Sequence, residues 1–144
     1  MHPYPHHYKV SSRSAVNGNL QSSAAGLPVL VSASPAEFDG PGDQWSPETL
    51  LCAAVSNCLI LTFRAVARAS KFEWQALECE TTGTLERVDG VTRFTHFASQ
   101  VILTVPTGTD ATRAQLLIEK AEHNCLIARS LNATSELRVE LRQS

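Results

Sequence analysis

Two cysteines, Cys58 and Cys125, are the residues whose type and position could support chemistry in this chain. Cys58 lies in the strongly apolar segment from Leu50 to Phe63, and Cys125 ends the only other long amphipathic segment. A buried cysteine often serves only as a small apolar side chain, so packing alone could explain both residues. Two cysteines on two core helices could instead meet, one as an attacking thiol and the other as a resolving thiol. The residues by themselves leave both interpretations open.

The other two cysteines, Cys52 and Cys79, are interpreted as packing residues. Cys52 precedes Cys58 by six residues and therefore lies off its helical face, and Cys79 falls in a predicted strand. The cysteine spacings contain no CxxC pair and no zinc-ligand cluster, and the histidines add no convincing metal site. We therefore expect neither a metal ion nor a framework of structural disulfides, although a transient redox disulfide stays open.

Cys58 would need assistance to ionise, because a thiol in the middle of a helix cannot use the positive start of that helix. Four arginines are candidate cations, although an arginine is more often a solvated surface charge: Arg13, Arg64, Arg68 and Arg129. Glu48 has a structural explanation as a residue of the first helical turn. About 15 Å of straight helix separate it from Cys58, so any assistance to the thiol must reach a neighbouring subunit. A role for Glu48 thus predicts a dimer with sites at the interface.

Two helices are predicted to position the cysteines. Ser46-Pro47-Glu48 is typical of a helix start, because serine caps free amides and proline fits the first helical position. This helix is predicted to run to about Ser70. The second helix is predicted to begin after Thr109 or Asp110 and to continue to about Ala128, with Cys125 on its apolar side.

Short strands are predicted before the first helix. Residues 6–33 alternate loosely between apolar and polar side chains and favour two or three strands, beginning with a hairpin at Asn17-Gly18. Residues 34–45 are rich in proline and glycine and predict a loop, long enough to suggest a place near a site.

Longer strands are predicted after the first helix. Residues 73–106 indicate two strands joined at Asp89-Gly90, a pair typical of tight hairpin turns. This register places Glu86 opposite Arg93, and a bulge at an undetermined position is needed to align the apolar faces. Residues 135–142 alternate between apolar and charged side chains and predict a last, half-buried strand.

Length and charge restrict the class of protein. The 144 residues suit a single domain, residues 1–144, and the 12 basic and 14 acidic residues are scattered, so no nucleic-acid partner is expected. The first residues lack the layout of a secretory signal, and no run is expected to approach the roughly 20 apolar residues that span a bilayer. We expect a soluble, cytoplasmic protein without a membrane partner.

Three segments resemble the OsmC/Ohr superfamily, which comprises osmotically inducible protein C and the organic hydroperoxide resistance proteins. They are Trp45-Ser46-Pro47-Glu48-Thr49-Leu50-Leu51, Ala53-Ala54-Val55-Ser56-Asn57-Cys58, and the run from His123 to Leu131, His-Asn-Cys-Leu-Ile-Ala-Arg-Ser-Leu. The likeness extends over nearly the whole chain in element order. It implies an α+β fold, with antiparallel sheets around two central helices and an intertwined homodimer.

The resemblance also implies a thiol-dependent peroxidase without cofactor or metal, which uses an organic hydroperoxide as substrate and a dithiol as reductant. Cys58 matches the peroxidatic cysteine, Cys125 the resolving cysteine, and Glu48 the glutamate that orients an activating arginine. The family usually places that arginine just before a glycine in the first hairpin, where this chain has Val16-Asn17-Gly18. The missing arginine motivates an alternative: a non-catalytic protein of the same fold that binds a small hydrophobic ligand.

Overall fold

A computed structural model describes residues 1–144 as a mixture of three α-helices and six β-strands. The chain divides into two compact units, Met1–Leu50 and Leu51–Ser144. The α+β class predicted from the sequence is confirmed. The interpretation of the whole chain as one domain stays a prediction.

The first unit contains a small antiparallel sheet. Its strands are β1 (Ser11–Arg13), β2 (Leu20–Ser23) and β3 (Leu30–Ser32), paired in that order. The turn between β1 and β2 includes Gly18 at φ +94°, a conformation that side chains other than glycine rarely adopt. The hairpin predicted at Asn17-Gly18 is therefore confirmed.

Helix α1 (Pro47–Ala69) begins where the sequence predicts. The Ser46 hydroxyl accepts a hydrogen bond from the Thr49 backbone N–H at 3.1 Å, and the Ser46 N–H donates to the Thr49 hydroxyl at 2.9 Å. This reciprocal pair satisfies amide groups that a helix start leaves free. The buried side of α1 repeats every four residues: Val55, Leu59, Phe63 and Ala67.

Much of the remaining surface of α1 is apolar and uncovered in a single copy of the chain. Its most apolar stretch has a mean hydropathy of 1.9 and is 28% buried, so length and composition alone would allow it to cross a bilayer. The expectation that no segment reaches this limit is wrong, because Ser56-Asn57 and Thr62 interrupt the apolar run without lowering its average enough. Core helices of soluble proteins meet the same criterion, so membrane insertion does not follow.

The second unit is built on a three-stranded sheet. Its antiparallel pair turns at Asp89-Gly90 and places Glu86 opposite Arg93, as predicted, and the required bulge lies between Thr84 and Leu85. The strands are β4 (Ala76–Val88), β5 (Val91–Val105) and β6 (Thr134–Gln143), in that order across the sheet.

Strand β6 runs parallel to β5, so this sheet is mixed, and the expectation of antiparallel sheets holds for the β4–β5 pair but not for β6. The connection explains the difference, because helices lie between β5 and β6 and return the chain to the end of the sheet where β5 began. The predicted alternation is confirmed in β6, where half-buried Leu137, Val139 and Leu141 alternate with exposed charged residues.

The second predicted helix is broken in two. Helix α2 (Ala111–His123) begins after Asp110, whose carboxylate accepts two backbone N–H hydrogen bonds from the first turn. It ends well before the predicted Ala128, and a separate single turn, α3 (Leu126–Arg129), follows. Cys125 lies at the break with an extended backbone, at φ −65° and ψ 106°. The chain therefore changes direction beside one of the two candidate cysteines.

Gly83 marks a close approach between β4 and α1 within the second unit. A Cβ atom at Gly83 would lie 2.8 Å from the Cys52 Sγ and 2.9 Å from the Phe94 ring. Contacts this short require neighbouring atoms to move. This position supports the interpretation of Cys52 as a packing residue.

The substitution Gly83→Ala is expected to lower the free energy of unfolding by about 1–3 kcal/mol, because the new methyl group overpacks this contact. Urea denaturation would measure the change. In a Cys52→Ala background the cost should shrink, since the sulfur that meets the methyl group is gone. An equal cost in both backgrounds would contradict the assignment to the Cys52 contact.

Candidate thiol site

The structure brings Cys58 and Cys125 together. The Cys125 thiol, just before α3, lies close enough to the Cys58 sulfur on α1 for the two thiols to influence each other's pKa. The Cys125 thiol donates a hydrogen bond to the Val55 carbonyl oxygen at 3.9 Å, about one turn before Cys58 on α1. Both cysteines are free thiols. The juxtaposition that the sequence left open is thus present, whereas the roles of the two cysteines stay predictions.

The two sulfurs differ in accessibility. Cys58 is half-buried and lines an open depression of about 530 Å³, whose wall includes the apolar residues Leu61, Leu126 and Ile127. Cys125 is 2% exposed and borders a crevice of about 10 Å³, which has room for about one water molecule at most. A small organic reagent can therefore reach Cys58 but not Cys125.

Hydrogen bonds lower the pKa of Cys58 below its ordinary value. Partial burial is the largest single influence and opposes them, because it disfavours the charged thiolate. The donors that outweigh it are, in decreasing effect, the Ile127 backbone N–H, the Cys125 thiol, the Thr62 hydroxyl and the Leu126 backbone N–H. The site therefore favours the nucleophilic form of Cys58.

The break between α2 and α3 explains the backbone donors. The first N–H groups of a helix have no partner within that helix, and α3 begins at Leu126. In the unbroken helix predicted from the sequence, the N–H groups of Leu126 and Ile127 would bond to carbonyls of the preceding turn. The start of α3 thus supplies N–H donors to the Cys58 sulfur, which the start of its own helix, α1, is too far away to do.

The four arginines considered as candidate cations have other surroundings in this structure. Arg129 donates to the His123 carbonyl oxygen at 3.0 Å, and Arg64 and Arg68 are exposed. Arg13 lies exposed in β1 of the first unit. The donors that lower the pKa of Cys58 are all uncharged groups.

Burial raises the pKa of Cys125 to about 11. The Ala128 backbone N–H works in the opposite direction, while the hydrogen bond to Cys58 and the negative charge of that sulfur raise it further. At neutral pH Cys125 therefore keeps its proton. The pair consists of one accessible cysteine whose pKa is lowered and one buried thiol whose pKa is raised.

Glu48 lies in the first turn of α1, ten residues before Cys58. One of its carboxylate oxygens, Oε1, is buried and has no hydrogen-bond partner in a single copy of the chain. Buried carboxylate oxygens usually have a donor, so this atom indicates a missing partner. The role of Glu48 stays a prediction.

The sequence interpretation missed Thr62 and the two backbone donors. Thr62 follows Cys58 by four residues, a spacing that places both on one helical face, and this signal was available. Backbone amides carry no residue signature, but Asn124, a weak helix former, stands at the break. The structure contains no group of three or more His, Cys, Asp or Glu residues that could hold a metal ion.

Comparison with known sequences identifies the family. A sequence model of OsmC-like proteins matches residues 40–140. A relative from Bacillus subtilis (strain 168), the uncharacterized protein YmaD, is 30% identical over 139 residues, which cover 94% of this chain and 93% of that protein.

Solved structures share the fold at low identity. An organic hydroperoxide resistance protein from Legionella pneumophila has a TM-score of 0.78 at 23% identity, covering 96% of this chain and 99% of that one. An OsmC-like protein from Mycoplasma pneumoniae reaches 0.82 at 14%, with coverage of 96% and 99%. OhrB of Bacillus subtilis reaches 0.67 at 20%, with coverage of 94% and 98%. These likenesses confirm the predicted OsmC/Ohr fold, and with the match over residues 40–140 they show that this chain belongs to the OsmC-like protein family.

Proposed function

We propose that this protein is a thiol-dependent peroxidase that reduces organic hydroperoxides to alcohols. The observation that carries the proposal is the pairing of an accessible Cys58, whose pKa is lowered, with a buried and protonated Cys125. Two proteins of the same fold are named as organic hydroperoxide resistance proteins, which favours this class of activity.

In the first step, the Cys58 thiolate attacks the terminal oxygen of the hydroperoxide. The O–O bond breaks, the sulfur is oxidised to a sulfenic acid, and the leaving alkoxide takes a proton from solvent water and departs as the alcohol. The donors around the sulfur favour the thiolate that begins this step. Thiol chemistry alone suffices, so we propose no cofactor.

In the second step, Cys125 condenses with the sulfenic acid. The Cys125 thiol supplies its proton to the departing hydroxyl, and a disulfide and a water molecule form. Its position beside Cys58 suits this reaction, and its burial keeps the hydroperoxide away from it. A dithiol reductant then exchanges with the disulfide and restores both thiols.

The depression beside Cys58 supports an organic substrate. Leu126 and Leu61, 65% and 57% exposed, lie beside the opening together with Ile127. Such a surface stabilises an alkyl or aryl group by the hydrophobic effect and offers little to hydrogen peroxide. We therefore propose a bulky organic hydroperoxide as the substrate.

A second copy of the chain is the proposed partner. The apolar side of α1 that stays uncovered in a single copy and the unpartnered Glu48 Oε1 both favour a homodimer in which the partner completes the depression beside Cys58 and supplies a donor. We propose that this dimer acts in the cytoplasm, where dithiols keep the cysteines reduced.

Steady-state consumption of cumene hydroperoxide with a dithiol reductant tests this function. We expect continuous turnover, with cumyl alcohol formed in equal amount and hydrogen peroxide reduced more slowly. A rate no higher than that of the dithiol alone would contradict the proposal.

A hydrophobic-ligand-binding protein is the second candidate, and the same apolar depression supports it, together with the missing arginine before Gly18. The pH dependence of Cys58 alkylation separates the two. A Cys58 pKa near that of free cysteine, about 8.5, would favour binding. A lower value would favour the peroxidase.

A further inference from the structure

The hydroxyl of Thr62 contacts the sulfur of Cys58. The two residues are one turn apart on α1, and the Thr62 Oγ1 lies 3.8 Å from the Cys58 Sγ, within the range of hydrogen bonds to sulfur. Both side chains are half-buried and line the same apolar depression. The hydroxyl therefore lies where a substrate would approach the thiol.

A second helical hydroxyl shows that this orientation is not the default. Serine and threonine in helices commonly donate to a backbone carbonyl in the preceding turn, and Ser56 does so to the Ala53 carbonyl oxygen at 3.1 Å. Thr62 instead has the Cys58 sulfur as its hydrogen-bond partner. Its side chain thus gives up the usual local bond and turns towards the thiol.

The direction of this hydrogen bond follows from the state of the sulfur. When Cys58 is ionised its sulfur has no proton to donate, so the Thr62 hydroxyl donates to it, whereas in the neutral thiol either group can be the donor. The other donors are the Leu126 and Ile127 backbone N–H groups and the Cys125 thiol, which is the titratable group that faces Cys58. The Thr62 hydroxyl is thus the only donor on α1 itself, and the other three come from the segment around the start of α3.

We propose that Thr62 is a catalytic residue of the thiol site, whose hydroxyl donates to the Cys58 sulfur as part of an uncharged group of donors. The inference deepens the proposed peroxidase function and rests on it for its biological meaning. It also explains how Cys58 can be activated although the first hairpin lacks an arginine before Gly18. Uncharged donors positioned by the fold stabilise the ionised form of Cys58.

The test compares Thr62→Val, which keeps the shape of the side chain and removes the hydroxyl, with Thr62→Ser, which keeps the hydroxyl. Iodoacetamide labelling of Cys58, read by peptide mass spectrometry, separates it from the other three cysteines. We expect Thr62→Val to slow labelling at pH 7 by about three- to tenfold and to displace the rate profile to higher pH. Thr62→Ser should retain the wild-type profile.

Ser56→Ala is the matched control, because it removes a hydroxyl from the same helix that does not contact the sulfur. It should leave the labelling of Cys58 unchanged. If Thr62→Val does not fold, Thr62→Ala replaces it in the same comparison. A labelling profile unchanged in the variant without the hydroxyl, or an equal loss in Ser56→Ala, would overturn the proposal.

Failure of this proposal is distinguishable from failure of the proposed function. Alkylation needs no hydroperoxide, so the contribution of Thr62 is measured whether or not the protein is a peroxidase. Peroxidase turnover in the wild type, together with unchanged Cys58 labelling in Thr62→Val, would contradict only the proposed role of Thr62. Slower Cys58 labelling in Thr62→Val, with no turnover in the wild type, would contradict only the proposed peroxidase function.

Discussion

Replacement of Cys58 by serine is expected to abolish hydroperoxide reduction, with a loss on the order of 10³-fold or more, as for removal of a nucleophile. A serine hydroxyl is not ionised at neutral pH and cannot accept the transferred oxygen as sulfur does. Cys58 is also the accessible member of the pair, so Cys125 cannot replace it. Stopped-flow consumption of cumene hydroperoxide with a dithiol measures the loss.

Cys79→Ala provides the control for this prediction. Cys79 lies half-buried in β4, where burial raises the pKa of its thiol and the Thr81 hydroxyl is its neighbour at 3.7 Å. Such a thiol is a poor nucleophile, so its removal should leave turnover nearly unchanged. An undiminished rate in Cys58→Ser, or a comparable loss in Cys79→Ala, would remove Cys58 from the mechanism.

Replacement of Cys125 by alanine is expected to separate the two steps. Cys58 should still consume one equivalent of hydroperoxide, but the sulfenic acid should persist, because the thiol that condenses with it is gone. Dimedone labelling of Cys58 would detect this product. The oxidation step should also be about tenfold slower at pH 7, since the thiolate loses a hydrogen-bond donor.

The pH dependence of Cys58 oxidation tests whether Cys125 acts as a hydrogen-bond donor to the thiolate. In the wild type the rate should rise with pH and level off below the ionisation range of an ordinary thiol, because hydrogen bonds lower the pKa of Cys58. In Cys125→Ala the same curve should move to higher pH. An unmoved curve would show that Cys125 does not donate to the thiolate, and rapid loss of the dimedone-reactive species would show that another thiol resolves it.

Local sequence signals predicted most of the fold because they act over a few residues. The Ser46 hydroxyl caps a free N–H group at the start of α1, and Asp89-Gly90 turns the chain between β4 and β5. Both lie where the sequence predicts them. The end of α2 was predicted wrongly because helix propensities are weak and tertiary contacts override them. Apolar spacing favoured a helix through Cys125, whereas the structure ends α2 at His123.

The sequence predicted which two cysteines form the candidate site, but not which groups donate hydrogen bonds to Cys58. Cysteines on two apolar segments, with the family resemblance, indicated the pair of Cys58 and Cys125. The amides of Leu126 and Ile127 become available only because the chain breaks beside them, and any residue type would supply the same N–H group. Residue types therefore point to an arginine side chain, whereas the donors around Cys58 are backbone amides and uncharged side chains.

Peptide mass spectrometry after one equivalent of cumene hydroperoxide, without reductant, is the most direct test of the central claim that Cys58 and Cys125 form one redox pair. We predict a disulfide that joins the Cys58 and Cys125 peptides, is reversed by a dithiol, and is absent in Cys58→Ser. Recovery of both peptides as free thiols, or a disulfide that joins Cys58 to Cys52 or Cys79, would contradict the claim.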